Sequence, residues 1–192
     1  MLSELKESNK EKNPIDIKEN HDEEVKSKKE IIFNIQTLVA EGRYQEADKA
    51  IKYSLSKNYN DPQMLSLSAL VAVAMQDWVQ AIARLHVVIK IQGEDTPPLP
   101  HLLLIRSYRC SGQLVEAMKA AELAVKTHAN NEEIVNEAAI IAEDLGEWES
   151  AALALEVLIE MHEMNGKEIP VALKTRLQTA KSLNEVLKEE DK

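Results

Sequence analysis

The stretch SGQLVEAMKAAELAV, residues 111–125, enters through a glycine turn and then reads as an amphipathic helix. Its opening recurs with other letters in EGRYQEADKAIKYSL at 41–55, MQDWVQAIARLHVVI at 75–89 and LGEWESAALALEVLI at 145–159. Each copy has a turn position, at Gly42, Gln76, Gly112 or Gly146, and an alanine five residues on, at Ala47, Ala81, Ala117 or Ala151. Three residues before the alanine stands Tyr44, Trp78, Leu114 or Trp148, and four after it Ile51, Leu85, Ala121 or Leu155. Successive turns are separated by 34, 36 and 34 residues. A period of that length, with room for two short helices per copy, marks a stacked helical repeat.

Composition points the same way. The chain has 192 residues, 44% of them hydrophobic, enough for one domain with a sizeable core. Aromatics make up 4% and there are five glycines, so alanine and leucine carry most of the apolar content. That bias favours helices, because β-branched and aromatic residues fill strands. With 23 basic and 33 acidic residues the net charge is −10, a surface that repels phosphate backbones; no nucleic-acid partner is expected. The lone cysteine, Cys110, fits a reducing compartment. No signal-peptide core and no long apolar run is present, so a cytoplasmic location without membrane insertion is expected.

Residues 1–27 are charged, nearly free of apolar side chains and interrupted by Pro14, which predicts a disordered tail. From Ile31 to Leu187 apolar residues recur at helical spacing. The repeats are placed at 28–61, 62–97, 98–131 and 132–165, with Pro62 and Pro98 at first helical positions, where a missing N–H costs nothing. Unit two carries two extra residues in IQGEDTPPLP, read as a longer loop or a hinge. Residues 166–192 hold one more helix, from about Pro170, with Leu173, Leu177, Ala180 and Leu187 on one face. It reads as the cap a repeat stack needs. The other reading is a homodimer seam, with Asn184 fixing its register.

On the turn, aromatic and alanine positions quoted above, residues 28–165 resemble the tetratricopeptide repeat family. The resemblance implies an all-α, right-handed α-solenoid of about four helical hairpins, with each alanine where the two helices of a hairpin cross closely. The small residue expected inside each first helix is Ile35, Ala69, Ile105 or Ala139. The isoleucines imply looser or differently angled packing in units one and three.

Chemistry-bearing motifs are absent: no phosphate loop, no G-x-G-x-x-G and no nucleophile elbow. His128 and His162 are 34 residues apart at matching places, and equivalent helices of neighbouring repeats lie roughly 20 Å apart, too far for one metal. His86 and His101 lack companions at ligand spacing, and Arg109 beside Cys110 is the one hint of an activated thiol. No catalytic, cofactor or metal site is expected, and the chain is read as not an enzyme.

The resemblance implies a concave surface built by the first helices, where a partner segment binds. Its inward residues are Ile32 and Gln36 in unit one, Ser66, Leu70 and Val73 in unit two, Leu102, Arg106 and Arg109 in unit three, and Asn136, Ile140 and Glu143 in unit four. Of the carboxylate clamp some family members carry, Arg106 alone matches. An apolar floor edged by Arg106, Arg109 and Glu143 instead suits an amphipathic protein segment. Residues 132–165 hold ten acids and no Lys or Arg, while Lys167, Lys174, Lys181 and Lys188 recur every seven residues beyond them. Either these lysines flank the acidic unit within the chain, or the acidic face awaits a basic partner. The functional expectation is a scaffold or adaptor. The alternative resembles the small acidic chaperones of bacterial type III secretion translocators.

Overall fold

The computed structural model describes the backbone of residues 14–190 and the side chains of 27–189. Of the expected tail, residues 1–13 lie outside the described residues. From Pro14 the backbone is helical, so the first helix starts earlier than residue 28. Proline is tolerated in a first turn, and the Lys- and Glu-rich sequence after it favours helix without an apolar face.

The chain divides into an N-terminal unit ending at Ala50 and a C-terminal unit beginning at Ile51. The N-terminal unit holds α1 (Pro14–Ala40) and the start of α2 (Tyr44–Lys57). Gly42 turns the chain between them at φ 73°, where a side chain would be strained. Arg43 ties the turn down, bonding Glu41 at 2.8 Å and both oxygens of Glu46. Ile35 and Ala47 are buried.

The C-terminal unit holds three hairpins and a last helix: α3 (Pro62–Ala74) with α4 (Trp78–Gln92), α5 (Pro98–Cys110) with α6 (Leu114–Thr127), α7 (Glu132–Leu145) with α8 (Trp148–Met164), then α9 (Val171–Glu190). Each helix packs on the next, and the first helices touch in succession, α3 on α5 and α5 on α7. The first helices open as their sequences indicate. Asp61 Oδ1 accepts from the Gln63 and Met64 amides ahead of α3, Pro98 starts α5, and Asn131 Oδ1 accepts from the Ile134 amide of α7.

Every hairpin closes with the same two bonds. In unit three the Gly112 amide bonds Arg109 O at 3.0 Å and the Gln113 amide bonds Tyr108 O at 2.9 Å; Gln76–Asp77 and Gly146–Glu147 repeat the pattern. This closure requires a left-handed residue at the turn. Gln76 adopts it at φ 58° without being glycine. The insertion IQGEDTPPLP is ordered: Gly93–Asp95 forms a 3-10 turn, and the Thr96 hydroxyl donates to Gly93 O at 2.6 Å.

The repeat alanines Ala81, Ala117 and Ala151 are completely buried. Ile105 is buried as completely as Ala69 and Ala139, its counterparts, so unit three is not opened by it. The reason is an exchange of volume. Units two and four put alanine on the first helix and leucine on the second, as Ala69 with Leu85 and Ala139 with Leu155. Unit three puts Ile105 on the first and Ala121 on the second, in one core cluster. Cores keep their packing when summed volume is kept.

Candidate partner-binding groove

Sequence placed eleven residues on the first-helix surface, and the structure sorts them by what they touch. In the N-terminal unit Ile32 is half-buried and Gln36 exposed on α1. On α3, Leu70 is 36% exposed, Val73 packs at the edge of the Ala69–Ala72 core, and the Ser66 hydroxyl donates back to Pro62 O at 2.8 Å.

Leu102, placed on this surface by its spacing, is buried. It is 5% exposed and packs with Ala117, Ala121 and Ala124. It shares a helical stripe with Arg106 and Arg109, and that stripe is buried at its base. The arginines carry their charged heads past the base on long stems, whereas a leucine stops inside.

Arg106 and Arg109 converge on Glu137 of α7, a carboxylate that is 4% exposed. Arg106 Nε donates to Oε1 at 2.6 Å and Arg109 Nε donates to Oε2 at 3.2 Å. Arg106 Nη2 also lies 3.5 Å from Glu133. A buried carboxylate needs such partners, since an isolated charge there is costly. The guanidinium groups are thereby held by their Nε edges, with their side chains 41% and 31% exposed.

The unit-four positions are occupied from within the chain. Arg176 of α9 donates from Nη1 to Asn136 Oδ1 at 2.9 Å, and from Nε and Nη2 to the Glu143 carboxylate at 2.9–3.2 Å. Ile140 is half-buried beside them on α7. Three of the heptad lysines also meet acids of unit four: Lys167 bonds Glu132 at 2.6 Å, Lys181 Glu156 at 2.7 Å and Lys188 Glu149 at 3.4 Å. Lys167 holds the Glu132 carboxyl below its ordinary range.

Sequence reasoning missed Glu137 and Arg176. Their partners sit 28–33 residues away for the charged contacts, just short of one repeat, which is the signal that offered them. It also missed that α5 and the end of α6 bring His101 against His128, with ring centroids 5.2 Å apart. Burial and then the neighbouring His128 push the His101 pKa down. His86 Nε2 lies 2.6 Å from the Tyr108 hydroxyl. Cys110 is exposed. Among the described residues no three His, Cys, Asp or Glu side chains form a group able to hold a metal ion. No helix of the described residues is long and apolar enough to cross a membrane.

The chain has a tetratricopeptide-type helical repeat fold, and solved structures share it. A MamA crystal structure superposes with a TM-score of 0.70 at 16% identity, covering 83% of this chain and 84% of that one. MamA from Desulfovibrio magneticus RS-1, from residue 41 to its end, gives 0.61 at 16% identity over 70% and 73%. The tetratricopeptide domain of Sgt2 from Aspergillus fumigatus gives 0.55 at 24% identity over 67% and 82%. No family model matches the sequence, and no curated protein matches it.

Proposed function

We propose that the protein is a non-enzymatic interaction module of the cytoplasm, a scaffold that takes an extended or helical partner segment on the first-helix surface of α3 and α5. The observation that carries the reading is the pair of arginines on α5 anchored through Nε on buried Glu137, with exposed Leu70 on α3, the first helix that packs against α5. A guanidinium held by one edge has already lost much of its rotamer entropy, so its remaining N–H groups bind an acceptor at lower cost. Those donors suit a carboxylate or backbone carbonyl of the segment, while Leu70 and the edge of Val73 take an apolar side chain. Glu137 and Glu133 offset the arginine charge, so the surface selects an amphipathic segment over a strongly acidic one. Leu102 is excluded from it by burial. Export chaperoning would use the same surface with a secreted client as its occupant.

The test is capture from the native host by the tagged chain and by Leu70→Asp, with mass spectrometry of the prey. Leu70 is exposed enough for the variant to keep its helical circular dichroism. Loss of a specific prey from the folded variant supports the reading. Retention of the same prey moves the binding surface away from α3.

A further inference from the structure

Unit four, residues 132–165, carries ten acids and no lysine or arginine of its own, and α9 meets three of those acids, Glu143, Glu149 and Glu156. Charge does much of the holding. Arg176 spans Glu143 and Asn136 on α7, and Lys181 and Lys188 meet Glu156 and Glu149 on α8. Exposed pairs of the lysine kind are individually weak and are screened by salt. The apolar contribution comes from one stripe: among its described side chains Leu173 and Ala180 are buried, with Leu177 packed alongside and Leu183 half-buried. The fit is also incomplete. A cavity of about 330 Å³ remains where the start of α9 meets α7 and α8, lined by Glu132, Glu133, Asn136, Leu173 and Arg176 among others.

We infer that the face of α7 and α8 beneath α9 is a docking surface for a basic amphipathic helix of a partner protein, with α9 as its displaceable cis occupant. The contacts of α9 specify what such a helix carries. An arginine straddles Glu143 and Asn136. Leucines three residues before and one after it take the places of Leu173 and Leu177, and a small residue four after it takes that of Ala180. A lysine directly after that small residue faces Glu156. A bulkier side chain ahead of the first leucine fills the cavity that α9 leaves open. Charge complementarity fixes the partner's sign, because cations for this face must come from outside the unit. The surface is separate from that of Leu70, and neither reading depends on the other.

The probe is a fluorescein-labelled synthetic peptide of residues 167–190, followed by anisotropy on the full-length chain. A chain carrying Arg176→Ala with Lys181→Glu has its own helix loosened, and its apparent affinity for the peptide rises by about tenfold or more, as the competent fraction grows. Adding Glu143→Gln to that chain removes most of the gain. Absence of peptide binding by the loosened chain, with helical circular dichroism intact, overturns the proposal. So does a loosened chain that dimerises by exchanging α9, which makes a second copy the occupant. Should the loosened chain fail to fold, hydrogen exchange on the unmodified protein decides. Amides of α9 exchange about tenfold or more faster than those central to α7 and α8, and faster still in high salt. Equal protection of all three helices at both salt concentrations overturns the inference.

Discussion

Exchanging volume between Ile105 and Ala121 makes a sharp prediction about unit three. Ile105→Ala removes three carbons from a completely buried site. At about 0.8 kcal/mol per buried CH₂, the transfer loss is roughly 2.4 kcal/mol, and the unfilled cavity raises it within the ~2–5 kcal/mol range for such truncations. Ala121→Leu at an equally buried site overpacks the hairpin and costs about 1–3 kcal/mol. The double variant recreates the alanine-then-leucine arrangement of units two and four, so its cost falls below about 1.5 kcal/mol. The two changes are therefore strongly non-additive, with a favourable coupling of at least about 2 kcal/mol. Urea denaturation of the four proteins, monitored at 222 nm by circular dichroism, supplies the cycle, provided the m-values agree. Strict additivity would refute the reasoning, since it would mean that the two side chains do not share one volume.

Gln76 sits in the left-handed region, so Gln76→Gly raises stability by about 0.5–1 kcal/mol in the same assay, whereas Gly112→Ala lowers it; a neutral or destabilising Gln76→Gly contradicts the turn analysis. The ion-pair cluster is asymmetric. Removing the acid in Glu137→Gln leaves two half-exposed arginines and costs about 1–2 kcal/mol, while Arg106→Ala with Arg109→Ala strands a buried carboxylate and costs about 3–5 kcal/mol. Equal costs in equilibrium unfolding would count against that burial. His101 has a lowered pKa in the folded state, so the unfolded chain binds the extra proton as the medium acidifies. Its stabilising contribution is complete above about pH 6.5, the ordinary histidine value, and is lost as pH falls through the window below it. Melting temperatures at pH 7 and pH 5 therefore differ less in His101→Gln than in the unsubstituted protein, and an identical pH response in both would remove His101 as the cause.

The hairpins were legible because their determinants are local. A left-handed turn residue, the alanine after it and the cap before it lie within one helix or its turn, and each leaves a mark at a fixed spacing. The first-helix surface was legible only as a stripe. Helical spacing puts Leu102, Arg106 and Arg109 on one side of α5, and cannot say that the base of that side is buried. Nor does it show where a long side chain ends up. Arg106 finds its acid on the next first helix, and Arg176 fills positions in unit four that looked open. The lysine heptad was visible in the sequence, but whether its acids were in the same chain depended on packing between α8 and α9. Ile105 misled for a related reason: packing constrains the sum of two side chains on different helices, while a repeat pattern reads each position alone.

The arginine–carboxylate contacts that join α5 to α7 and α7 to α9 all lie on the first-helix side of the C-terminal unit. A force that spreads those helices must lengthen the contacts. The stack from α5 to α9 is thereby braced against being flattened. The brace therefore acts between successive repeats rather than within one, at Glu137 between α5 and α7 and at Glu143 between α7 and α9.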